Sequence, residues 1–66
     1  MKTFNVHFDD ENDSNDKGLR ESFLYCIVYI KIHNGSNTSY FEDYKGGTVS
    51  IICNETGETV YSTTIK

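Results

Sequence analysis

Between Asp10 and Glu21 the chain reads D-E-N-D-S-N-D-K-G-L-R-E, and oxygen-bearing side chains recur there with the spacing of a calcium loop. Ca²⁺ takes about six to eight oxygen ligands, and a loop of about twelve residues supplies them from positions one, three, five, seven, nine and twelve. Asp10, Asn12, Ser14, Asp16 and Glu21 fall at one, three, five, seven and twelve. Asn15 stands at position six in place of the turn glycine, and Asn tolerates the left-handed conformation better than most residues. Two features weaken the match. Lys17 takes a position usually held by an aliphatic residue, and the preceding segment alternates like a strand rather than a helix. Gly18 at position nine could act only through water. An acidic loop rich in Asn and Ser meets so tolerant a pattern by composition alone, so a solvated loop is the expectation and a metal-responsive calcium site the alternative.

The groups that could carry catalysis are His7, His33, Cys26, Cys53 and the carboxylates. A nucleophilic Cys needs a nearby His and an electropositive setting, whereas Cys26 lies inside an apolar run and Cys53 ends an apolar strand. Both thiols are expected to be buried and unpaired, and two Cys with two distant His lack zinc-ligand spacing. Glu42 and Asp43 share no nucleophile, and Gly46-Gly47 lacks the spacing and the Lys of a phosphate loop. The expectation is that the chain is not an enzyme and needs no cofactor.

These groups are positioned by a short series of elements. Thr3 to Phe8 places Phe4, Val6 and Phe8 on one side and polar residues on the other, the period of a half-buried strand. Asp9 to Gly18 reads as a mobile polar loop. Leu19 to Asn34 is rich in good strand formers, yet as a strand it would be apolar on both faces and need two covering layers. As a helix it puts Leu19, Phe23, Cys26, Ile27 and Ile30 on one stripe, and Asn34-Gly35 supplies a stop. Ser36 to Gly47 is a linker whose Tyr40, Phe41 and Tyr44 pin it to the core. Thr48 to Cys53 and Glu58 to Ile65 form a hairpin around Asn54-Glu55-Thr56-Gly57, with the glycine at a left-handed position. The sum is one α+β domain over residues 1–66, β-α-β-β, with a three-stranded, mostly antiparallel sheet and one helix packed on one face.

Composition bounds the function. With 66 residues, 36% hydrophobic and 14% aromatic, the chain can build one thin core, burying only about 60% of its unfolded surface. The net charge is −4 and the six Lys and Arg are scattered, so direct nucleic-acid binding, which needs clustered positive charge, is not expected. The longest apolar run, Phe23 to Ile32, is too short for a bilayer, which takes about 20 residues, and no signal peptide is evident; a cytoplasmic location follows as the expectation. The helix that turns Cys26 and Ile30 inward turns Tyr25, Val28 and Ile32 outward, with Leu24 and Tyr29 flanking them and Glu21 at the start. A large apolar patch rimmed by polar residues marks an interaction site. The expected function is therefore a small acidic protein-binding module, an adaptor or inhibitor, meeting a protein partner or another copy through Tyr25, Val28, Tyr29 and Ile32. A variant is that the acidic surface imitates nucleic acid and occupies a basic site on an enzyme.

Overall fold

The computed structural model describes residues 2–38 and 40–66; Ser39, within the aromatic linker, lies outside them. Five elements follow in order: β1 (Phe4–Asp9), β2 (Ser14–Asp16), α1 (Phe23–His33), β3 (Thr48–Cys53) and β4 (Thr59–Thr64). The sheet is antiparallel throughout, ordered β2-β1-β3-β4, so the architecture is a small α+β fold with one helix on a four-stranded sheet.

The fourth strand corrects the three-stranded expectation. Asp10 reverses the chain: its Oδ1 accepts the N–H groups of Asn12 (2.8 Å) and Asp13 (2.8 Å), while its own N–H donates to the Asp13 carbonyl (3.0 Å). The returning residues pair along β1, with Asp9 opposite Ser14 and His7 opposite Asp16. Every residue of β2 is exposed, so only the backbone holds it and no apolar alternation announces it.

The inward face of the sheet comes from the alternation in β1 and β3. Val6 faces Ile51, Phe8 faces Val49 and Phe4 faces Cys53 across the central pair, and all but the half-buried Phe4 are buried. Over this face α1 buries Cys26 and Ile30, with Ile27 and Tyr29 packed beside them. The helix starts later than the apolar pattern. Ser22 caps it, accepting the Tyr25 N–H at 3.1 Å, and the residues before it are extended, with Glu21 and Phe4 exchanging backbone hydrogen bonds (2.7 and 3.2 Å). Leu19 thus reaches the core from an extended segment, its N–H donating to Asn5 Oδ1 (2.7 Å). Phe23, expected inside, is 39% exposed at the first turn and packs against the start of β1, its ring 5.7 Å from that of Phe4. Lys31 and His33 in the last turn complement the helix dipole, and Gly35 takes the left-handed φ of 89° just beyond it.

The linker supplies the rest of the cover. Phe41 and Tyr44 are buried, as the sequence implies, on a turn in which the N–H groups of Glu42 and Tyr44 donate four residues back, to Thr38 (3.0 Å) and Tyr40 (2.9 Å). The turn ends at Gly47, where a Cβ would collide with the Asp9 carbonyl and lie 3.0 Å from the Asp10 Cβ. In the β3–β4 hairpin, Gly57 has φ 76° and donates to the Cys53 carbonyl (2.7 Å). A bulge then places Thr59 opposite Ile52 and Tyr61 opposite Ile51, with Val60 as the extra residue.

Replacing Ile51 by Ala empties a fully enclosed site between two strands and should cost about 2–5 kcal/mol. Phe23→Ala should cost less than half as much, because a good part of that ring already meets water. Urea unfolding of the two variants measures the difference; a greater loss at Phe23 would contradict the assignment of the helix faces.

Candidate functional site

The solvent side of α1 exposes several large apolar side chains. Leu24 is 70% exposed, Ile32 66%, Tyr25 47% and Val28 45%, on a helix of eleven residues. Tyr25, Val28 and Ile32 follow at spacings of three and four, so they form one stripe along the axis. Tyr29, half-buried, lies on the flank of that stripe. Its ring packs against Phe41 (5.8 Å) and the His33 imidazole (4.7 Å), which fixes the wall of a shallow groove. The groove encloses about 170 Å³ and is lined by Tyr25, Val28, Tyr29, Ile32 and His33. Sequence reasoning named four of these five. His33 entered only among the groups that could carry catalysis; its spacing of four from Tyr29 is the signal that puts it beside the same groove. His33 Nδ1 lies 3.3 Å from Thr38 Oγ1, so the imidazole is held by the linker as well as by Tyr29.

Burial pushes the Tyr29 hydroxyl above its ordinary range, and Tyr25 adds to the effect. The Tyr29 phenol in the groove is therefore held in its neutral form. Beyond the groove's C-terminal end Lys31 and Lys66 are both exposed, and the backbone there is tied down: the Lys66 N–H donates to Asn34 Oδ1 (2.9 Å), and Asn34 Nδ2 donates to the Thr64 carbonyl (3.1 Å). One side-chain amide thereby spans two backbone groups of the β4 edge.

The five residues with calcium-loop spacing are not gathered around one point. Asp10 and Asn12 lie at the turn, Ser14 and Asp16 on β2, and Glu21 opposite Phe4. The partners of Ser14 and Glu21, Asp9 and Phe4, lie five residue steps apart along β1, a span of roughly 16 Å at strand rise. The Asp10 carboxylate is engaged by backbone N–H groups, and among the described residues no group of three or more His, Cys, Asp or Glu is placed to hold a metal ion.

Both cysteines are buried and free, the arrangement expected from their surroundings. Burial, then the Glu21 charge, raises the Cys26 thiol above its usual pKa. Cys53 is held below it, chiefly by hydrogen bonding to the Thr56 side chain and backbone, yet it is enclosed at the end of β3. His7 lies on the uncovered face of the sheet, opposite Asp16 and Ser50.

Tyr44 joins the linker to the acidic hairpin, its hydroxyl donating to Asp13 Oδ2 at 3.0 Å. Desolvation, then the hydrogen bond and charge of Asp13, push its pKa up to about 12. A raised folded-state value means that the protonated phenol favours folding. This contribution is whole below the ordinary tyrosine pKa of about 10 and is lost as pH rises through about 12. Ultraviolet titration should show one of the five tyrosines ionising near that upper value, and Tyr44→Phe should remove that step while leaving the earlier ones. Persistence of the late step in the variant would rule out this assignment.

In comparisons with protein-family models, curated proteins and solved structures, nothing matches this chain.

Proposed function

We propose that the chain is a protein-binding module, an adaptor or inhibitor, whose contact surface is the solvent side of α1. The observation that carries this reading is the exposure of Leu24, Tyr25, Val28 and Ile32 on a single helix whose opposite side is already occupied by the sheet. A helix that is apolar all round is ordinarily enclosed on all sides. Here the sheet and the aromatic linker cover one side, and the other meets water.

The occupant that fits is an amphipathic helix of another protein. The spacing of Tyr25, Val28 and Ile32 matches a helix seam, and the groove beside it is wide enough for a side chain of the partner to enter. Lys31 and Lys66 at one end favour an acidic residue on the partner's rim, which would fix its direction. The net charge of the whole chain, −4, limits unspecific association. Among the described residues, no helix is long and apolar enough to cross a membrane, and the patch is about three helical turns, suited to a protein groove.

Burial of each such side chain contributes about 1.5–3 kcal/mol, or roughly ten- to a hundredfold in affinity. Val28→Lys and Ile32→Lys should each leave the circular dichroism and cooperative unfolding intact, since both side chains point into water. Each should weaken capture of the partner from the native host by at least tenfold, measured by titration with the purified partner. Undiminished binding by both folded variants would sink the proposed surface, whereas loss of folding would show that the stripe belongs to the core.

A further inference from the structure

His33, Ser36 and Thr38 close a small ring of polar contacts at the C-terminal end of α1. Ser36 Oγ lies 2.6 Å from the His33 backbone carbonyl oxygen and 2.7 Å from Thr38 Oγ1, and Thr38 Oγ1 lies 3.3 Å from His33 Nδ1. Each contact needs one proton. A hydroxyl carries one and rotates to suit, whereas a carbonyl carries none. Ser36 therefore gives its proton to the His33 carbonyl, and its oxygen accepts from the Thr38 N–H (3.2 Å) and the Thr38 hydroxyl. That spends the Thr38 proton, so the third contact is made only if His33 Nδ1 donates to Thr38 Oγ1. The opposite tautomer would leave two protons for three contacts. In the neutral ring Nδ1 is thus the N–H and Nε2 the bare acceptor.

Nε2 is also within reach of another molecule. Among the described residues it has no hydrogen-bond partner, and no buried side-chain nitrogen or oxygen is left without one, so this atom meets solvent. Its ring packs on Tyr29 at 4.7 Å and lines the groove of about 170 Å³ whose other walls are Tyr25, Val28, Tyr29 and Ile32. The proton ring thereby sets one lone pair beside an apolar groove.

We infer that a partner fills this groove with a tryptophan, whose indole N–H donates to His33 Nε2. The inference rests on the helix-face reading above and adds to it the side chain that is chosen. A closed apolar cavity of about 150 Å³ holds a benzene ring, so a groove of about 170 Å³ that is open on one side takes one aromatic side chain. Indole joins an apolar body to a single donor and no acceptor, the complement of apolar walls and one lone pair. Tyrosine would bring an oxygen whose own lone pairs lack a donor there. Lysine and arginine also donate, but Lys31 and Lys66 stand exposed beyond this end of the groove and repel a further cation. Ser36 and Thr38 are positioning residues: they act through His33, by keeping its proton on Nδ1.

The test titrates indole and 1-methylindole, which differ only in a methyl group in place of the N–H proton, into the folded chain while the Val28 and Ile32 methyl resonances are followed. Indole should bind more tightly by about fivefold or more, since the methyl group leaves the acceptor unpaired. In His33→Phe, which keeps a ring against Tyr29, the two compounds should bind alike; should that variant fail to fold, Thr38→Val carries the same comparison. Two-bond ¹H–¹⁵N spectra of the unbound chain, on the alkaline plateau of the His33 titration, should show the proton on Nδ1. Thr38→Val should move it to Nε2 and abolish the preference for indole, and Thr38→Ser should keep both, which a loss of packing alone would not produce. A proton on Nε2 in the unaltered chain overturns the inference. Equal binding of the two compounds, with Val28 and Ile32 shifted, overturns it too and leaves the groove a docking site that makes no such choice. Shifts elsewhere, or none, overturn it as well, and the helix face is then judged separately by partner capture with Val28→Lys and Ile32→Lys.

Discussion

Phe8 is the residue on which the arrangement of the other layers depends. It is wholly buried on the central strand β1, and three rings of the linker gather on it: Phe41 edge-on at 4.9 Å, Tyr40 at 5.3 Å and Tyr44 at 6.1 Å. A single helix of eleven residues cannot cover four strands, so the linker acts as the second half of the layer. From this cluster Phe41 reaches Tyr29 and His33 and so sets the roll of α1, while Tyr44 reaches Asp13 and ties down the acidic hairpin. The cost of this packing is visible in Tyr40, a non-glycine residue held at φ 72° with the Lys17 ammonium 5.2 Å from its ring. The outward direction of Tyr25, Val28 and Ile32 is thus a result of aromatic packing on the opposite side of the helix.

The parts of the fold legible in the sequence are those in which side chains decide. The alternation of Phe4, Val6 and Phe8, the apolar run of β3, and Gly57 all report burial or a left-handed turn directly. The helix was legible from its apolar stripe and its Asn34-Gly35 stop together with elimination. Its residues favour strand individually, and it becomes a helix because a strand apolar on both faces would have had no second cover. β2 was not legible at all, since Ser14, Asn15 and Asp16 are exposed and the pairing runs through backbone groups that every residue possesses. The same pairing spreads out the calcium-loop spacing, whose middle, Ser14 to Asp16, lies extended along β1. Phe23 failed for a subtler reason. Ser22 starts the helix there, and a first-turn residue has no preceding turn to help enclose it.

The helix stripe offers area and little directionality, so a partner bound there as proposed would be chosen by shape and by the charge at the rim. At the C-terminal end of α1, Asn34 spans the Thr64 carbonyl and the Lys66 N–H, and so fastens the end of the helix to the outer strand of the sheet.

Asn34 is followed by Gly35, and that pair carries a chemical liability. In a pliable chain the glycine nitrogen can attack the Asn side-chain carbon, closing a five-membered imide and expelling ammonia, after which water opens the ring to an acid. In the folded protein the side chain is held at both ends, and its backbone is extended at ψ 125°, so the amide is kept from that attack for as long as the clasp stays shut. Each opening exposes it. The product would keep an acceptor for the Lys66 N–H but lose the donor to Thr64, and would set a negative charge at the negative end of the helix dipole. The fastening at the β4 edge is therefore also a clock: its lifetime is set by how often it opens, and once spent it cannot be refastened.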